Sequence, residues 1–160
     1  MKNLFADLEL FQRSLGSEFN NLNIDFSTST LSLIAELDEL EDAINFEDTD
    51  DIIFELGDCL CYFSICLNLS GFTFSQLSKQ QSNSVNLFKI FGKISTIIQK
   101  QNRPNGQIFK NTKLVEPFTE LFNHFENICD EHDLLLSTVL DVNYDKLKYR
   151  QKIGYGVFNK

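Results

Sequence analysis

The chain has 160 residues, 42% hydrophobic and 23% charged, the mix of an ordinary globular protein of one domain or of two small units on a shared core. Its 23 Asp and Glu against 14 Lys and Arg leave a net charge of -9, which repels a nucleic-acid backbone and excludes general affinity for one. Two prolines and seven glycines are too few turn formers for a many-stranded β fold, and 16 phenylalanines without tryptophan predict a bulky aromatic core.

No apolar run reads as the roughly 18–20 residues a bilayer span needs. The first residues lack a signal-peptide core because Asp7 and Glu9 interrupt it, so a cytoplasmic location is expected, with no membrane partner. In chain order, Leu4, Leu8, Phe11 and Leu15 recur at helical spacing, and Gly16 is a natural stop. A polar loop leads to Ser27-Thr28-Ser29-Thr30, any of which can cap a helix running to Asn45 along Leu33, Leu37, Leu40 and Ile44. The acids Glu47 to Asp51 suit the positive end of the next helix, which carries Ile52, Leu56, Cys59, Leu60, Phe63 and Leu67 and ends at Gly71. Ser78 to Ser84 reads as a polar hinge between halves.

The second half repeats the theme. Leu87, Ile90, Phe91, Ile94, Ile97 and Ile98 form one stripe, stopped by Asn102-Arg103-Pro104-Asn105-Gly106. Leu121, Phe122, Phe125, Ile128 and Cys129 form another, with Pro117 near its start. A last helix runs from near Ser137 to about Lys152, closed by Gly154 and Gly156. No stretch reads as a strand, so the fold expected is an all-α helical bundle, a single domain over 1–160 with one helix pair at 28–77 and a second pair plus a C-terminal helix at 85–152. The halves can be overlaid so that Glu36 and Glu39 meet Gly92 and Ser95, and Glu55 and Asp58 meet Phe118 and Leu121. A duplication would then have kept acids in one copy only, although any two amphipathic pairs look alike.

Cys59, Cys61, Cys66 and Cys129 form no C-x-x-C pair and read as small buried apolar residues. His124 and His132 read as surface or groove residues. Neither follows a Glu by three, which excludes the ferritin-like Glu-x-x-His ligand set, and the glycines form no phosphate-binding loop.

Two carboxylate pairs stand out. Glu36 and Glu39, then Glu55 and Asp58, lie at i and i+3, about 60° apart on their helices and beside the apolar stripes. Antiparallel packing through those stripes would converge four like charges, which need a cation between them, and carboxylate oxygens suit Mg²⁺ or Mn²⁺. Such pairs are also common on solvated faces of acidic chains, the reading given to Glu41, Asp42 and Asp48 to Asp51. On the last helix, Asn143, Lys146 and Arg150 share one face, with Lys148 and Lys152 nearby. A Lys and an Arg together suit phosphates, and a solubilising basic face at a helix C-terminus is the alternative.

Taken together, Glu36-Leu-Asp-Glu39, Glu55-Leu-Gly-Asp-Cys-Leu-Cys-Tyr62 and Asn143-Tyr-Asp-Lys-Leu-Lys-Tyr-Arg150 resemble the MazG-like, all-α nucleotide pyrophosphohydrolases, related to dimeric dUTPases. That family carries E-x-x-E, then E-L-G-D-x-L-x-Y, then N-x-x-K-L-x-x-R, in this order. The resemblance implies that Glu36, Glu39, Glu55 and Asp58 bind Mg²⁺, that Lys146 and Arg150 hold a triphosphate, and that Asn143 contacts phosphate or nucleoside. It implies a reaction of a nucleoside triphosphate and water to the monophosphate and pyrophosphate, with Glu39 as the base, and a homodimer as a further expectation. This chain departs in having Ala35 where many members carry another Glu, and in a helix pair inserted before the closing motif. A dUTPase-like member, or a nucleotide sensor without turnover, are the alternatives.

Overall fold

The computed structural model describes residues 4–17, 24–77, 85–101 and 112–154. They form α1 (Leu4–Ser17), α2 (Phe26–Asn45), α3 (Thr49–Ser70), α4 (Leu87–Gln101), α5 (Val115–Glu131) and α6 (Leu136–Lys152), with short 3-10 turns at Phe74–Gln76 and Thr112–Leu114. No strand occurs among the described residues, and the molecule is an all-α bundle. The expected hinge at 78–84, the stop at 102–106 and Gly156 lie outside the described residues.

Helix α3 is the axis. It packs lengthwise on α2 and also meets α1 and α6, while α4 pairs with α5. Each end of α3 has a local cause. Asp48 accepts the backbone N–H groups of Asp50 and Asp51 at its N-terminus, and Gly71 closes it in the left-handed region at φ 73. Between α2 and α3 the chain reverses within three residues, through Glu47 at φ 55.

Boundaries differ from expectation at two helices. Asp25, not Ser27 to Thr30, caps α2: its Oδ1 accepts the Thr28 N–H at 2.7 Å. Ser29 and Thr30 lie within the helix and donate their hydroxyls to the carbonyls of Asp25 and Phe26. A carboxylate one turn upstream outcompetes hydroxyls that can instead bond back to the preceding turn. Likewise α1 runs through Gly16 to Ser17, because a helix tolerates one terminal glycine.

The expectation that no run is of bilayer length is also corrected. By length and composition α3 is long and apolar enough to span, with mean hydropathy 1.6, but 67% of that stretch is buried inside the bundle. That is the pattern of a helix surrounded by others. Its acids Glu55 and Asp58 interrupt the apolar reading by eye without lowering the average enough to remove it.

The aromatic core centres on Phe63 of α3. Its ring meets those of Phe74, Phe118 and Phe125 edge-on at 5.6 to 5.7 Å between centroids. Phe74 in turn meets Phe122 at 5.3 Å. Edge-to-face packing sets positive ring edges against negative faces, so α5 is held on α3 by shape and by quadrupole. Phe118 and Leu121, the counterparts of Glu55 and Asp58 in the overlay of the halves, are core residues, and no carboxylate faces them from Gly92 or Ser95.

Candidate functional site

The α2–α3 hairpin brings three of the expected acids together. One carboxylate oxygen each of Glu36, Glu39 and Glu55 lies within 4.8 Å of the others. Glu36 is 2% exposed, Glu55 half-buried and Glu39 exposed, so the cluster runs from the helix seam out to solvent. All its donors are oxygens of ionisable carboxylates, the chemistry a hard divalent cation prefers, and the three residues fit such an ion.

Asp58 is turned differently. Asn143 Nδ2 donates to its Oδ1 at 2.7 Å, and Lys146 Nζ donates to its Oδ2 at 2.5 Å. Both partners come from α6, and the same ammonium stands 5.9 Å from the Phe54 ring centroid. Thus the basic face predicted for the last helix lies against the acidic helix pair, with Arg150 one turn beyond Lys146 and half-buried.

Gly57 explains how α6 comes so near. A Cβ added there would stand 2.9 Å from Cβ of Asn143 and 3.1 Å from its Nδ2. Asn143 is 2% exposed, wedged over the glycine, and its Oδ1 is buried without a hydrogen-bond partner. Sequence reasoning placed Gly57 inside a motif without giving it a task. The signal was present, since an isolated glycine inside a helical pattern marks a close approach of another element.

The thiols report the same geometry. Burial pushes the Cys59 thiol well above its ordinary range, and the charges of Glu36, Asp58, Glu55 and Glu39 add to the effect. Cys61 is raised by burial and by Asp58, against the opposing charges of Lys146 and Arg150. Four carboxylates and two cations therefore surround one short stretch of α3. Tyr62, half-buried, is raised mainly by burial and hydrogen-bonds Ser32 across the hairpin. All four cysteines are buried free thiols, as expected.

Of the other aromatic candidates, Phe11 is buried, and with Tyr144 it lines a pocket of about 260 Å³ between α1 and α6, whose polar lining includes Asp7 and Asp141. Ala35 lines a shallow groove between α2 and α4 with Leu31, Ile34 and Phe88, outside the three-glutamate cluster. His124 is half-buried on α5, where burial lowers its pKa, and His132 is the C-cap of that helix.

Fold and site define an all-α bundle whose antiparallel helix pair presents clustered carboxylates beside a basic helix. Residues 25–83, which hold that pair, match the model of the MazG nucleotide pyrophosphohydrolase domain. The match includes Glu36, Glu39, Glu55 and Asp58 and stops short of α6. Comparison with curated proteins and with solved structures finds no match.

Proposed function

We propose that the protein is a divalent-metal-dependent nucleoside triphosphate pyrophosphohydrolase, releasing a nucleoside monophosphate and pyrophosphate. The observation that carries this reading is the convergence of Glu36, Glu39 and Glu55 inside the matched segment, with Lys146 beside it. Glu36, Glu39 and Glu55 would hold Mg²⁺, with Mn²⁺ as a substitute, and Asp58 stands at the next turn of α3. A bound ion supplies charge neutralisation for the carboxylates and a polyphosphate, and makes nearby water more acidic.

The chain's own residues do the rest. Lys146, a mobile point charge, and Arg150, a planar fork, bind the phosphates from α6. Glu39, the exposed carboxylate of the cluster, would accept a proton from attacking water. Fixed charges aimed at the phosphates contribute most of the rate, as in other phosphoryl transfers. Ala35 leaves the cluster intact, since it lines the groove toward α4, and this favours turnover over a silent sensor.

The test is pyrophosphate release from a panel of NTPs and dNTPs, including dUTP, with and without Mg²⁺. Release that requires the metal is expected, and its absence with every nucleotide would remove the reading. Sedimentation of the same sample tests the dimer that belongs to it.

A further inference from the structure

We infer that Asn143 and Lys146 are positioning residues that hold Asp58 on the α6 side, apart from the three-glutamate cluster, until a polyphosphate draws Lys146 away. The inference deepens the reading above and rests on it for the identity of ion and polyphosphate.

Three observations carry it. Asp58 lies outside the group of oxygens formed by Glu36, Glu39 and Glu55, although it is one turn from Glu55 on the same helix. Each of its oxygens accepts a hydrogen bond from α6, one from Asn143 and one from Lys146. The two donors differ in freedom. Asn143 is buried against Gly57, with too little exposure to touch a nucleotide, so its amide acts on Asp58. The Lys146 side chain is 22% exposed on a flexible stem over the Phe54 ring, so it has a way out.

The arrangement couples two binding events. While Lys146 neutralises Asp58, the carboxylate is a poor fourth ligand for an ion at the glutamates. When phosphate oxygens replace Asp58 as the partner of Lys146, the freed charge on Asp58 strengthens the cation site, and by reciprocity a bound cation loosens Lys146 for phosphate.

Mg²⁺ titration calorimetry of the full chain without nucleotide tests this, using the unmodified protein, Lys146→Met, Asp58→Asn and the double variant. Lys146→Met is expected to tighten Mg²⁺ binding about fivefold, and to change it less than about twofold when Asp58→Asn is already present, the coupling typical of groups in contact. Equal gains in both backgrounds, the mark of a lost positive charge acting through space, would overturn the inference, as would no gain. Lys146→Gln repeats the cycle should the methionine variant not fold. In turnover assays Asn143→Ala is expected to lower the Mg²⁺ concentration required while leaving KM for nucleotide unchanged; an unchanged or higher Mg²⁺ requirement would overturn the role of Asn143, and a KM rise alone would place it on the substrate instead. Coupling without hydrolysis of any nucleotide would keep the inference about Asp58 and remove the activity. Hydrolysis without coupling would do the reverse.

Discussion

Gly57 and Glu55 make opposite demands on α3, and each can be tested alone. A methyl group at 57 would overlap Cβ of Asn143 at 2.9 Å, and Asn143 is buried. Gly57→Ala is therefore expected to destabilise the fold by about 1–3 kcal/mol, the usual cost of overpacking, despite the better helix propensity of alanine. Chemical denaturation measures it, and an unchanged or raised midpoint would show that α6 can stand off. Glu55→Gln keeps volume and removes charge from the cluster. Pyrophosphate release should fall on the order of 10²–10³-fold, as when an electrostatic element of a site is deleted, with an unchanged melting curve. Retained activity would remove Glu55 from the site.

The helices were readable because their stripes are regular. Leu33, Leu37 and Leu40 on α2 and Ile52, Leu56, Cys59, Leu60 and Phe63 on α3 are all buried, so period alone located both elements and the faces they present. Their caps were less readable, since Asp25 and Ser27 to Thr30 are all competent and only the path of the chain decides. The site was half legible. Spacing puts Glu36 beside Glu39 on one helix, but whether α3 meets α2 in a register that adds Glu55 depends on the tertiary packing. The attachment of Asp58 to α6 crosses 85 residues to Asn143, beyond any local pattern. At this scale Phe63 is the keystone, with one ring of the Phe74–Gln76 turn and two rings of α5 against it. Phe63→Ala should cost about 3–5 kcal/mol and release α5, seen as loss of near-UV dichroism before loss of helix. A loss under about 1 kcal/mol would mean the ring cluster carries little of the fold.

Across the whole molecule, four buried thiols make stability depend on alkaline pH. Burial lifts Cys66 from 9.0 to about 12, and Cys129 to about 11. The folded protein thus keeps protons that the unfolded chain gives up near pH 9, so the contribution is complete below that pH and is lost as pH rises toward 11 to 12. The melting temperature should fall steadily above pH 9, and Cys66→Ala should flatten the fall; a flat profile to pH 11 would contradict the burial. Ion binding acts in the other direction. Mg²⁺ at about 100 times its Kd should stabilise the fold by about 2.7 kcal/mol, reversed by chelator, if the glutamate cluster takes it up. No thermal shift up to high millimolar Mg²⁺ would argue that the cluster is only a solvated acidic face.

The close passage at Gly57 is also a fixed point from which two cations of α6 can be measured. With a rise of about 1.5 Å per residue, Lys146 sits about 4.5 Å along α6 from the point of nearest approach and Arg150 about 10.5 Å. Any rocking of α6 about that point sweeps Arg150 through more than twice the arc of Lys146. The inner cation stands less than one helical turn from the backbone crossing, and the outer one about two turns from it.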